Sequence, residues 1–434
     1  MSEKIDKILS LTESYIDEKN KANKFIAGVT RVRTSGAAWD GNDISSLVKA
    51  CLDAWITDGT ESYEFEKLLS TFLKQRYGVF CNSGSSANLL AMSALTSKRL
   101  GSRALKRGDE VITVAAGFPT TINPIIQNGL VPVFVDISLP SYNALPHAIE
   151  EAITDKTKAI MIAHTLGNPY KAQEVRDIAD RSELWVIADC CDALGAEYEG
   201  KSLPSFADMS TFSFYPAHHI SAGEGGAITT NSPILDKILR SFRDWGRDCW
   251  CQTGKDNTCG KRYGFDLGDL PKGFDHKYTY SEIGYNLKAT DLQAALVASQ
   301  IKKLPRFIDA RRRTWEFYRE HFSELEKYFI LPEPTYKSNP SWFGFMLSVR
   351  DDAPFSRKDI VSYLDDSKVD TRMLFAGNAV KHPAYKDKPY LISGTLHKSD
   401  FVMNSGFWIG VSPVVTPPMR EYVAQKIMEF CKTK

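Results

Sequence analysis

Between residues 77 and 230 short apolar runs alternate with stretches whose apolar residues recur at helical spacing. The strand candidates are "YGVFC", "DEVITV", "VPVFVDI", "KAIMIAH", "LWVIADC", "STFSFY" and "GAITT", with crossover helices between them. That rhythm predicts an α/β domain on a mostly parallel sheet, with ligands gathering beyond the carboxyl ends of the strands. Ahead of it, the charged "MSEKIDKILSLTESYIDEKNKANKF" opens an N-terminal helical segment over about residues 1–50. Residues 244–280 break the rhythm, being rich in Gly, Asp and Lys and poor in periodic apolar positions; they read as a long ordered loop inserted in a large domain over 51–300. "TDLQAALVASQIKKLPRFIDARRRTWEFYREHFSEL" then reads as two helices broken at Pro305. The strand-like "WFGFMLSVR" and "FWIGVSP", with helices at "SRKDIVSYLDD" and "MREYVAQKIMEF", predict a smaller α+β C-terminal domain over 301–434.

Length and charge narrow the partners. At 434 residues the chain is long for one core, and its 43% apolar residues allow two. Lys plus Arg (54) against Asp plus Glu (53) leaves a net charge of +1, with no basic run interleaved with aromatics, which argues against nucleic acid. No run approaches the roughly 18 apolar residues of a membrane span, and the amino terminus has no secretory pattern. The expectation is a soluble, cytoplasmic protein acting on a small molecule. Its eight cysteines are then expected to be reduced, with Cys51, Cys81 and Cys431 read as buried structural thiols.

Candidate chemistry sits where strands end. In "VFCNSGSSANLLAMSAL" a strand runs into Asn82-Ser83-Gly84-Ser85-Ser86 and a helix follows, so backbone amides and the helix amino terminus make an anion cradle; an ordinary serine cap is the plainer alternative. In "WVIADCCDALGAEY" Asp189 closes an apolar strand and needs a cation to stay charged. A protonated pyridine nitrogen would serve, and a turn-capping aspartate is the plainer reading. In "AAGFPTTINPIIQNG" Phe118 is placed to stack on a flat ring, although such phenylalanines are commonly core. In "STFSFYPAHHISAGEGGAITT" Ser213 precedes an exposed loop carrying His218 and His219.

These four elements, in this order, resemble the sugar-nucleotide aminotransferases and dehydratases with the aspartate aminotransferase fold. The likeness extends from "DAWITDGTESYEFEKLL" through "EIGYNLKATDLQAAL" to "VDTRMLFAGN". It implies fold type I, with pyridoxal or pyridoxamine 5′-phosphate as cofactor. Gly84, Ser85 and Ser213 would surround its phosphate, Phe118 would stack on the ring, and Asp189 would meet the pyridine nitrogen. Asn286 matches an asparagine that reaches the neighbouring subunit's phosphate, implying a homodimer with shared sites. Asp192 stands where glutamine is usual. The family's aminotransferases read Ser-Phe-x-Pro-x-Lys where this chain has "SFYPAH", so His218 replaces the Schiff-base lysine. Imidazole forms no stable imine but still moves protons near neutrality, and histidine here is the mark of the 3-dehydratases. His219 reads as a loop residue without a catalytic part. Arg372 and Asn378, in "TRMLFAGN", are candidate sugar or diphosphate contacts, with a surface ion pair as the plainer reading of the arginine.

Four of the remaining cysteines, Cys191, Cys249, Cys251 and Cys259, read C-x57-C-x-C-x7-C. Four thiolates suit a structural zinc or an iron–sulfur cluster, and spacing alone does not separate the two. The middle pair is C-x-C, whereas zinc knuckles are usually C-x2-C. If the chain stays extended past Asp189, Cys191 shares its side and Cys190 faces the other. The arrangement resembles the CDP-4-keto-6-deoxy-D-glucose 3-dehydrases, which carry a [2Fe-2S] cluster on cysteines so spaced. That resemblance implies C3 deoxygenation of a CDP-sugar on the way to O-antigen 3,6-dideoxyhexoses, with electrons from an NADH-dependent flavin iron–sulfur reductase. The alternatives are a GDP-sugar dehydratase of the colitose type, which needs no cluster, a sugar aminotransferase, and a cofactor-binding protein without turnover.

Overall fold

The computed structural model describes residues 2–434. Its large sheet has eight strands in the order Tyr77–Cys81, Gly226–Thr230, Met209–Ser213, Trp185–Asp189, Thr157–Ala163, Glu110–Val114, Val131–Val135 and Leu391–Ile392. All but Gly226–Thr230 run parallel. The seven apolar runs picked out by pattern are the seven long strands. Their near-continuous burial is what a parallel sheet covered on both faces demands. One face packs residues such as Ile112, Ile160 and Val186, and the other Val111, Met161 and Ile187.

Helices begin where a side chain can cap them. Asp40 and Asp43 form a capping box at the start of Gly41–Leu52, Ser83 accepts from the Ser86 amide at the start of Gly84–Ala94, and Thr290 pairs with Gln293 before Asp291–Ile301. The N-terminal helix Ser2–Ala22 packs on Gly41–Leu52, where the Gly41 amide donates to Asp17. Cys51, expected to be buried, is exposed, because it lies on the outer face of that second helix.

The smaller core gathers Trp315 and Tyr318 of helix Leu304–His321, and Phe322 just past its end, against strands Gly344–Val349 and Gly406–Gly410 and helices Arg357–Asp366 and Pro417–Lys432. Two segments cross between the units. Val32 joins the smaller core by bridging Val369, and Leu391–Ile392 adds the outermost strand of the large sheet. Residues 244–280 carry one short helical turn, His276–Tyr278, and are held as a loop by backbone bridges at their base. Among the described residues no helix is long and apolar enough to cross a membrane.

Candidate active site

The parallel strands deliver their carboxyl ends to one rim, and the site is built there. Gly84 begins its helix directly against Ser213, two strands away in the sheet. A Cβ on Gly84 would lie 2.4 Å from the Ser213 Cβ, so only glycine permits the approach. The Ser83-capped helix end, Ser85 on its exposed first turn and the Ser213 hydroxyl beside Gly84 bring backbone amides and hydroxyls together at one helix start, groups suited to a phosphate.

Asp189 stands at the centre of the rim and is held on both oxygens. Oδ2 accepts from Asn88 Nδ2 (2.8 Å) and Thr121 Oγ1 (2.7 Å), and Oδ1 from the Cys191 amide (3.1 Å). Thr211 Oγ1 donates to Asn88 Oδ1 (2.6 Å), fixing the amide that orients the carboxylate. Sequence reasoning missed Asn88 and Thr121. Their only signal was polarity at buried positions of otherwise apolar helices. Phe118, the residue before helix Pro119–Gln127, is 48% exposed and meets Phe375 edge to face at 5.9 Å, leaving its ring at the mouth of the site.

The histidine loop, expected to be exposed, is largely buried. His219 Nε2 bonds the Ser341 carbonyl (2.9 Å), and the His218 ring lies 5.1 Å from Phe343. Arg311, fully buried, donates to the carbonyls of His218 (2.9 Å) and Trp342 (3.2 Å), tying the loop to the smaller unit. Sequence reasoning also missed this arginine, one of a run of three on a helix otherwise charged. Burial, aided by the Arg311 charge, lowers the His218 pKa to about 4 against the pull of Asp189, so its imidazole is a neutral base at pH 7. Its Nδ1 has no hydrogen-bond partner among the described residues and stands 3.6 Å from Asp192 Oδ1. Burial, then repulsion from Asp189, pushes the Asp192 carboxyl well above the usual range, with Arg311 opposing.

The residues present fit a pyridoxal-type group. The anion cradle, the exposed ring and the fixed carboxylate match its phosphate, its aromatic face and its ring nitrogen. Unpartnered Nδ1 of His218 and Oδ2 of Asp192 line the same place. Asn286 is exposed on the segment that leaves the loop, its Oδ1 accepting from Lys288 (2.8 Å). Asn378 is buried, with its amide donating to Asp400 (2.6 Å) and its carbonyl oxygen accepting from the Val380 amide, so both ends are spent on the fold. Arg372 is a surface residue 3.8 Å from Asp370, the plainer of its two readings.

The four candidate thiols do not stand together. Cys249, Cys251 and Cys259 line a cavity of about 10 Å³ with Asp256, Asn257, Arg262, His276 and Lys277, while Cys191 lies beside Asp189. Among the described residues no three His, Cys, Asp or Glu side chains are arranged to hold a metal. Cys190 is buried in the apolar core.

Comparison with known proteins matches residues 39–428 to the DegT/DnrJ/EryC1/StrS aminotransferase family. The lipopolysaccharide biosynthesis protein RfbH of Salmonella typhimurium is 50% identical over 98% of this chain and 97% of its own. The dTDP-4-dehydro-2,6-dideoxy-D-glucose 3-dehydratase of Saccharopolyspora spinosa is 50% identical over 98% of this chain and 92% of its own. Among solved structures, the E. coli GDP-4-keto-6-deoxy-D-mannose-3-dehydratase with bound hydrated PLP superposes with a TM-score of 0.82 at 28% identity, covering 92% of this chain and 99% of that one. The architecture is therefore that of fold type I pyridoxal phosphate enzymes.

Proposed function

The chain belongs to the DegT/DnrJ/EryC1/StrS aminotransferase family, and from that premise we propose that it is a nucleotide-sugar 3-dehydratase that works with pyridoxamine 5′-phosphate. The observation that carries the reading is His218, a largely buried neutral base 3.6 Å from Asp192, where the family's aminotransferases have lysine.

When bound, the cofactor supplies a primary amine for the sugar's C4 ketone and a ring that takes up electrons. The chain's own groups do the rest. Gly84, Ser85 and Ser213 bind the phosphate, and Phe118 covers one face of the ring. Asp189, fixed by Asn88 and Thr121, keeps the pyridine nitrogen protonated. His218 takes the proton at C4′, and the burial that lowers its pKa keeps it ready at neutral pH. Histidine could not tether the cofactor as a Schiff base, so a bound pyridoxamine would be held by the phosphate, ring and pyridine contacts alone, and the electrons released when His218 removed its proton would be those available to expel the C3 hydroxyl. Asn286 reaches the neighbouring subunit's phosphate, which makes the working unit a homodimer.

The finer reading is a CDP-linked 4-keto-6-deoxyglucose as substrate, on the way to O-antigen dideoxyhexoses, with a [2Fe-2S] centre on Cys191, Cys249, Cys251 and Cys259 and an NADH-dependent flavin iron–sulfur reductase as redox partner. The cysteine loop and the lipopolysaccharide role in the Salmonella relative's name support it. The equal identity to a dTDP-sugar enzyme favours a second reading, with dTDP as the nucleotide. The test is an anaerobic assay with CDP-, dTDP- and GDP-linked 4-keto-6-deoxysugars, each with and without reductase. C3 deoxygenation of the CDP-sugar only with reductase is the expected result. Amino-group transfer to C4 with glutamate would overturn the dehydratase reading.

A further inference from the structure

The two largest side chains wholly enclosed by the fold are both arginines, and they are satisfied in different ways. Arg243 lies among carboxylates, pairing with Asp58, Glu66 and Asp244. Arg311, on helix Leu304–His321, forms no ion pair among the described residues and spends its donors on main-chain carbonyls. One terminal nitrogen donates to His218 (2.9 Å) and, more weakly, to Ala217 (3.5 Å), and the other to Trp342 (3.2 Å). A buried charge is costly where no opposite charge answers it, and neutral donors also bond carbonyls. What a guanidinium adds is a planar fork that reaches several of them at once in fixed geometry.

Two of those carbonyls flank one Cα. The Ala217 oxygen belongs to the peptide entering residue 218 and the His218 oxygen to the peptide leaving it. Peptides are planar, so holding both oxygens restrains φ and ψ at residue 218 and with them the direction of its Cβ. The loop has little else to fix that direction. It joins strand Met209–Ser213 to strand Gly226–Thr230, and over residues 216–220 its only bond from main chain to main chain, among the described residues, runs from the His218 amide to the Tyr215 carbonyl (2.9 Å).

The next residue adds a second tie. His219 is 3% exposed, and its Nε2–H donates to the Ser341 carbonyl (2.9 Å). Residues 217–219 are therefore fastened, through Arg311 and His219, to one short segment, Ser341-Trp342-Phe343. That segment is itself fixed to the large unit. The Ser341 amide donates to the Gly167 carbonyl (3.1 Å) and the Phe343 amide to the Leu166 carbonyl (2.8 Å). Gly167 has φ +85°, and a Cβ there would run into the Ser341 oxygen, the same oxygen that receives His219. The Phe343 ring packs against the result, 5.1 Å from the His218 ring and 6.0 Å from the Arg311 guanidinium carbon.

We propose that Arg311 and His219 are positioning residues, which hold the main chain on either side of residue 218 against Ser341-Trp342-Phe343 and so aim the His218 imidazole into the cofactor cleft. The inference rests on the reading above of His218 as the group that moves the proton. It is tested where position can be read without the sugar. In a His218→Lys chain, the rate at which residue 218 becomes covalently attached to pyridoxal phosphate is followed by absorbance and by borohydride trapping. Arg311→Met and His219→Leu are each added to that background, with cofactor affinity and the urea midpoint as checks on binding and folding.

Attachment is expected to slow by roughly 10- to 10²-fold in both, the scale of rate lost when a reacting group is displaced by about 1 Å, with the cofactor bound as tightly as before. His219→Gln, whose amide still donates to the Ser341 carbonyl, is expected to restore most of the rate. In chains that keep His218, Arg311→Met and His219→Leu are expected to lower kcat by a similar factor with KM unchanged. Unchanged attachment in a folded Arg311→Met or His219→Leu chain overturns the proposal, as does a His219→Gln chain as slow as His219→Leu. A loss lying wholly in cofactor affinity or KM overturns it too, because it marks a tie that only holds the fold. Should Arg311→Met fail to fold, the two His219 variants decide alone. A His218→Lys chain that binds the cofactor without attaching to it overturns instead the underlying placement of residue 218, so the two failures are distinguishable.

Discussion

At the scale of single residues, one imidazole separates this site from a transaminase. His218 is neutral at pH 7 because burial outweighs the attraction of Asp189, and the neutral ring is the form that accepts a proton. Its backbone carbonyl, not its ring, is what Arg311 holds, and Nδ1 of the ring is left without a hydrogen-bond partner among the described residues. Replacing it tests both halves of the argument. His218→Asn is expected to keep cofactor affinity and lower turnover by roughly 10²–10⁴-fold, the usual worth of a positioned general base, measured as steady-state release of the deoxygenated sugar. His218→Lys is expected to bond covalently to the aldehyde form of the cofactor. Borohydride reduction followed by mass analysis would then find the added mass on the peptide containing residue 218. A lysine variant that binds the cofactor and carries no added mass would mean that residue 218 does not face the reactive carbon.

At the scale of elements, the site depends on two strand ends and a helix start meeting without spare room. Gly84 touches the side chain of Ser213, and a Cβ on Gly226 would fall 2.2 Å from the Ser83 carbonyl oxygen. Gly84→Ala therefore forces the helix start away from Ser213. Overpacking of this kind costs about 1–3 kcal/mol, and the expected outcome is cofactor binding weakened about tenfold, read by absorbance titration, with the far-ultraviolet spectrum unchanged. Unaltered affinity would show that the two elements do not share the phosphate. The strands that build this rim were legible because each is a buried apolar run of five to seven residues. Leu391–Ile392 was not, because two half-exposed residues form no pattern. Asp189 was legible from its place at a strand end, whereas Asn88 and Thr121 were not, since which polar groups meet a carboxylate is decided by helix packing far away in sequence. Asn378's partner, Asp400, was not legible either, for the same reason.

At the scale of the whole molecule, the histidine loop is the place where the two units are locked together, and its lock is pH-sensitive. His219 is bonded to Ser341 and His218 packs near Phe343, both on the segment leading into the strand Gly344–Val349, while Arg311 spans loop and segment. Burial lowers the pKa of His218 to about 4 and of His164 to about 3, and His219 is lowered well below its ordinary 6.5. In the unfolded chain each titrates near 6.5. Between that value and the folded one the unfolded state binds more protons, so stability is fully present above pH 6.5 and is lost as pH falls toward 4. For His218 alone the loss at pH 5 is about 2 kcal/mol. Urea unfolding of the cofactor-free protein is expected to show a midpoint that falls steeply from pH 7 to pH 5. The fall should be shallower in His218→Asn by about that amount, because asparagine takes up no proton. Equal pH dependence in the two proteins would mean that His218 ionises as freely in the folded chain as in the unfolded one, and the buried base on which the dehydratase reading depends would be lost with it.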